Sequence, residues 1–153
     1  MGRRDAVREV VAVGGVVLGL VFVGYETRQN TAALRSQALQ TTAEMSRQHT
    51  VLGVELPELR DAWDIAITQD APEAMTPDQR RIMSFWTHGA MRIVEHRYHQ
   101  LALGTLPEAL TLGGRGGHYQ SRYFRDWWSG RKQGFPPGFA AWVEEEVLEH
   151  PAR

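Results

Sequence analysis

Between residues 88 and 99 the chain places His88, Arg92, Glu95, His96 and His99 within about three helical turns. Glu95 and His99 stand four residues apart, so on a helix both project from one face and could ligate a metal ion or share a proton. Glu95, His96 and His99 are therefore the residues that a metal-binding or enzymatic role would use. Two spacings speak against that role. The inward Glu-x-x-His of carboxylate-bridged di-iron bundles would need a histidine where Tyr98 stands, and no H-E-x-x-H is present. The competing reading is an ion pair between Arg92 and Glu95 at i, i+3, partly buried beside Trp86. It is the preferred one, so no catalytic, cofactor-binding or metal-ligating residue is assigned.

Other constellations are weaker. The chain has no cysteine, which excludes disulfides, thiolate nucleophiles and Cys-ligated metals. Gly113-Gly114-Arg115-Gly116-Gly117 matches neither phosphate-loop pattern and follows no strand-like run, so it reads as a connector. No serine stands in a G-x-S-x-G setting. Residues 115–132 hold Arg115, Arg122, Arg125, Arg131 and Lys132 against Asp126, interleaved with Tyr119, Tyr123, Phe124, Trp127 and Trp128. Basic and aromatic residues together suit an anionic lipid surface or single-stranded nucleic acid. The acidic residues Glu144, Glu145, Glu146 and Glu149 offer internal partners instead, and a net charge of -1 carries no polyanion-binding signature. No nucleic-acid partner is expected.

The elements that would position these residues all read as helices. Residues 27–52 contain no Pro or Gly, and Thr31, Leu34, Ala38, Thr41, Met45, Gln48 and Leu52 alternate spacings of three and four, a weakly apolar seam. After Pro57, Leu59, Trp63, Ala66 and Ile67 share a face. Thr76-Pro77-Asp78-Gln79 is a capping box with proline in the first turn. It opens a stripe of Ile82, Phe85, Trp86, Ala90, Ile93, Val94 and Leu101 that runs to about Gly104. Aromatic residues recur at helical spacing as Tyr119, Tyr123 and Trp127, then as Phe139, Trp142 and Val143 behind Pro137. No alternating strand pattern occurs, and the expected fold is all-α.

From Val10 to Tyr25 the chain runs sixteen residues without a charge. That covers roughly 24 Å, against a hydrocarbon core of about 30 Å, so snorkelling Arg8 and local thinning would have to close the gap. A cleavable signal peptide is the rival reading, but Phe22 and Gly24 fail the small-residue rule for a cleavage site. The expected organisation is a tail at 1–9, a transmembrane helix at 10–25, a juxtamembrane helical stalk at 26–52 and a helical bundle at 56–150. Gly15 and Gly19 form a G-x-x-x-G pair through which two copies could pack, unless they merely reflect the frequency of glycine in such helices. Arg3, Arg4 and Arg8 before the run are balanced by Arg28, Arg35 and Arg47 after it, so no side is assigned to the domain.

The apolar run leading into Tyr25-Glu26-Thr27-Arg28-Gln29-Asn30-Thr31, the Thr76-Pro77 start, and Arg92, Glu95, Tyr98, Gln100 and Gly104 together resemble an uncharacterised family of small bacterial proteins. Phe124, Trp127, Phe135, Phe139 and Val143 look like that family's C-terminal aromatic signature, while residues 113–117 depart from it. The resemblance implies one N-terminal transmembrane helix, a C-terminal α-helical domain and placement in the bacterial plasma (inner) membrane. It implies no activity. The function expected is a membrane-anchored interaction or scaffold module, non-enzymatic, with an unknown protein partner. A chain beginning near Leu52 is expected to fold without the anchor.

Overall fold

Local signals place most helix starts where the sequence predicts them. In the computed structural model, which describes residues 2–106 and 118–149 and the side chains of 3–12 not at all, every regular element is helical among the described residues. They are α1 (Arg3–Glu55), α2 (Pro57–Trp63), α3 (Pro77–Ala102), α4 (Arg122–Arg131) and α5 (Pro137–Val143). The Gly-rich stretch 113–117 lies outside the described residues.

Thr76 Oγ1 accepts from the Gln79 amide at 3.2 Å and Gln79 Oε1 accepts from the Thr76 amide at 2.9 Å, which completes the capping box of α3. Its far end stops at Gly104, whose φ of +67° is the left-handed conformation that side chains resist. Proline occupies the first turns of α2 and α5. Ser121 caps α4 by accepting from the Phe124 amide at 3.1 Å, so that helix begins after Tyr119 rather than through it.

The chain divides into two compact units, Met1–Ala38 and Leu39–Arg153. The first is the N-terminal part of α1, in which each described side chain from Val13 to Gln37 is exposed. Among the described residues no helix is long and apolar enough to cross a membrane. The transmembrane helix expected at 10–25 is therefore not supported. Its first three side chains lie outside the described ones, and the remainder from Val13 to Tyr25 covers only about 20 Å.

The second unit is a small bundle. Its core joins Leu59 and Ala62 from α2, Ala66 from the π-helical turn Asp64–Thr68 that follows it, Met83, Met91 and Val94 from α3, Phe124 and Trp128 from α4, and Phe139 and Val143 from α5. Of the faces expected around α2 and on α5, Leu59, Ala66, Phe139 and Val143 are buried, whereas Trp63, Ile67 and Trp142 are half-buried at the edge of the core. On α3 the buried line is Met83, Thr87, Ala90, Met91 and Val94, and Phe85, expected in the stripe, is 72% exposed. Phe85 is two residues from both Met83 and Thr87, about 200° around the helix from each, so it points away from the face they define.

The unit also takes in α1 from Leu39 onward, the second half of the expected stalk. Its contact face is Thr42, Ser46, His49 and Gly53, displaced from the predicted seam, of which Thr41, Gln48 and Leu52 are exposed, although Ala38 is buried and Met45 half-buried. His49 stacks on Trp86 with ring centroids 4.4 Å apart, Arg97 Nη2 donates to Ser46 Oγ at 2.7 Å, and Gly53 lies against the Trp86 indole. A chain beginning near Leu52 would therefore lose contacts belonging to this unit, and the cut that spares them falls before Leu39.

A Cβ at Gly53 would meet Trp86 Nε1 at 3.5 Å, an ordinary contact, whereas one at Gly89 would press on His49 at 3.3 Å. Gly53→Ala is thus expected to raise the unfolding free energy by about 0.5–1 kcal/mol through helix propensity. Gly89→Ala should gain less or nothing. Paired urea titrations check both.

Candidate functional site

Arg92 and Glu95 form the anticipated i, i+3 pair, but it lies beside Phe135, whereas Trp86, its expected neighbour, packs with His49 and Trp63. Glu95, whose side chain is 13% exposed, accepts from Arg92 Nη1 at 2.6 Å, and Arg92 itself is 44% exposed. Arg92 also donates from Nη2 to the Gly134 carbonyl at 3.2 Å and lies 4.5 Å from the Phe135 ring centroid, so it ties α3 to the chain between α4 and α5. His99 Nε2 approaches Glu95 only to 3.9 Å. Among the described residues no three histidine or carboxylate side chains converge as a metal site. The carboxylate of Glu95 is committed to the Arg92 guanidinium.

Removing it leaves Arg92 with water, the Gly134 carbonyl and His88 Nε2, to which Arg92 Nε donates at 3.3 Å. Glu95→Ala is accordingly expected to cost about 1–2 kcal/mol, less than for a fully buried pair. Denaturant unfolding measures it, and an unchanged midpoint would remove this role.

A histidine and tryptophan cluster lies where α1 meets α3. His49 stacks on Trp86, Trp63 meets Trp86 edge-on at 5.1 Å, and His118 lies 5.2 Å from Trp63 and 6.1 Å from Trp86. His49 Nε2, Trp86 Nε1 and His118 Nε2 are buried without a hydrogen-bond partner among the described residues. Burial, and then the neighbouring His49, push His118 down to about 4, and burial alone lowers His49. Both rings are therefore neutral at physiological pH. Sequence reasoning missed this pair because residues 49 and 118 come from segments that periodicity reads separately.

The basic and aromatic stretch resolves into two faces of α4. Phe124 and Trp128 enter the core, while Tyr123, Trp127 and Arg131, spaced by four, line one wall of a cleft of about 690 Å³. Arg80 and Ser84 on α3 form the facing wall, and the turn at Pro72–Ala74 closes one end. Charge pairing with the acidic C-terminal stretch is realised by Lys132 and Glu144 at 2.6 Å. Arg122 instead donates to Glu73 and to the Asp70 carbonyl, both at 2.7 Å, and Arg125 to Gln120 Oε1 at 2.9 Å. Arg131 has no carboxylate within ion-pair distance among the described residues, and Arg115 lies outside them. The sequence shows the α4 half of this cleft as a basic and aromatic run; Arg80 and Ser84, some forty residues earlier, carried no signal of their own.

No protein-family model, curated protein or solved structure matches this chain.

Proposed function

We propose that the protein is a membrane-anchored helical interaction module, with the N-terminal part of α1 seated in a lipid bilayer and the unit from Leu39 onward presenting the binding surface. One observation carries the reading: the apolar segment of α1 is exposed all the way around. Val13, Val16, Val17, Leu18, Leu20, Val21, Phe22 and Val23 all face solvent, Leu18 at 71%, and a Cβ added at Gly14, Gly15, Gly19 or Gly24 would touch nothing within 4 Å.

Covering such side chains is worth roughly 1.5–3 kcal/mol each, more than 10 kcal/mol in sum. A groove in a protein partner would cover one stripe and leave a polar face outward. A helix apolar on every side fits lipid, which covers all of it. The charges of Glu9, Glu26 and Arg28 bound the segment, and its short length calls for local thinning of the bilayer. The open Gly15 and Gly19 suit close packing of a second copy within the same bilayer. The Arg28-Gln29-Asn30-Thr31 that follows is the motif most specific to the bacterial family the chain resembles, which suggests the plasma membrane as the location. The enzymatic alternative through Glu95, His96 and His99 is not favoured, because Glu95 is held by Arg92.

The test is Leu18→Arg with Val21→Arg. Each charge at the centre of an inserted helix costs about 2.5–3.5 kcal/mol on the translocon scale, so the double variant should leave the membrane fraction while the original chain resists alkaline carbonate extraction. Equal partition of the two would overturn the anchor.

A further inference from the structure

We infer that the cleft between α3 and α4 is a binding site for a small organic oxyanion, a phosphate or carboxylate group carried on a flat apolar body. The site lies wholly within the unit from Leu39 onward and does not depend on the anchor.

Two cations face the space from opposite walls. Arg80 is fixed by donating to the Met75 carbonyl, which leaves the rest of its guanidinium toward the cleft, and Arg131 lies at its mouth with no carboxylate partner among the described residues. Arg122 is already neutralised by Glu73 at 2.7 Å, so the uncompensated charge on the lining is that of Arg80 and Arg131 against Asp126, a net positive balance. Planar guanidinium groups with several donors match the geometry of phosphate and carboxylate oxygens.

A hydroxyl adds to them. Ser84 Oγ accepts from Trp127 Nε1 at 3.0 Å, which orients the oxygen and leaves its own proton free to donate to an anion. Most of the exposed lining is apolar, with the Glu73–Arg122 pair and Asp126 as its other charged groups. Trp127 and Met75 are buried against the core yet line the cleft, and together they offer a flat face to a ring or a short hydrocarbon body. A volume of about 690 Å³ falls within the roughly 300–1,000 Å³ of small-molecule pockets, and an apolar lining with a few convergent polar groups is their usual makeup. The same chemistry is carried by a soluble aryl or acyl phosphate and by a lipid phosphate.

The experiment is isothermal titration of the full chain in detergent with phenyl phosphate, benzoate, dihexanoyl phosphatidic acid and inorganic phosphate. Saturable one-to-one binding of at least one organic anion is expected, about tenfold or more tighter than inorganic phosphate, because only the organic anions cover Trp127. Arg131→Gln should weaken it by about tenfold, whereas Arg125→Gln, whose arginine is turned to Gln120 outside the cleft, should leave it within about twofold. Arg131 is exposed at the end of α4, so its replacement leaves the fold intact, and a circular dichroism spectrum verifies this. Tighter binding of the phosphatidic acid than of phenyl phosphate assigns the site to lipid phosphate, and the reverse order assigns it to a soluble ligand; either supports the site. Failure of all three organic anions to saturate at millimolar concentration overturns it, as does equal weakening by Arg131→Gln and Arg125→Gln.

Discussion

Trp128→Ala is expected to cost about 3–5 kcal/mol of unfolding free energy, a large share of the 5–15 kcal/mol available to an ordinary domain. Trp128 is 1% exposed and fills the centre of the aromatic core, 5.2 Å from the Phe135 ring, 6.2 Å from Phe124 and 6.3 Å from Phe139. α5, the segment that leads into it and the start of α4 itself therefore lose a packing partner at once when the indole is removed, and the surrounding rings limit how far the cavity can collapse. Its Nε1 is buried without a hydrogen-bond partner among the described residues, so Trp128→Phe should be much milder, since it removes that N–H and keeps a ring. Chemical denaturation of both variants tests the packing. A loss below about 1 kcal/mol for Trp128→Ala would mean that the core is not closed there.

Acid is expected to produce the second large effect, through the two neutral histidines beside Trp86. His118 is held at about 4 in the folded protein, against 6.5 when unfolded, and His49 is shifted the same way. The neutral forms favour folding, so this contribution is complete above pH 6.5 and is lost as the pH falls from 6.5 toward 4. Over that window the unfolded chain binds protons that the folded one refuses, and His118 alone accounts for about 3 kcal/mol. Among the described residues the groups around it offer no compensating carboxylate: it touches Trp63, Trp86 and Tyr119, with His49 close by and the Arg97 charge felt at Tyr119. His118→Phe keeps an aromatic ring and removes the titration. Its unfolding free energy should change much less between pH 6.5 and 4.5 than that of the original chain. Parallel pH profiles for the two proteins would contradict the assignment.

What was legible in the sequence follows from how local each signal is. The capping box at Thr76 and the prolines at 57 and 137 act within one turn, so three helices begin where the sequence predicts. The α1 face was not legible, because Thr42, Ser46, His49 and Gly53 are small or polar and a search for apolar spacing passes over them. They succeed at that face through close approach, one hydrogen bond and one ring stack. On α4 a single stripe of Tyr123 and Trp127 is evident, but the second stripe of Phe124 and Trp128 is the one most deeply buried. Adjacent residues lie about 100° apart on a helix. Burial of both pairs therefore requires packing on two sides, which periodicity along one helix cannot report. The cleft was half legible for the same reason: its α4 wall is a local pattern, and its α3 wall is brought to it by the fold.

Vesicle flotation of the full chain beside a chain starting at Leu39, with circular dichroism on both, tests the proposed separation of a lipid-seated segment from the folded unit most directly. The full chain should float with the lipid, and the shorter one should remain at the bottom of the gradient as a soluble helical protein with a cooperative unfolding transition. A full chain that stays soluble without lipid, or a shorter chain that aggregates or loses its helical signal, would contradict it.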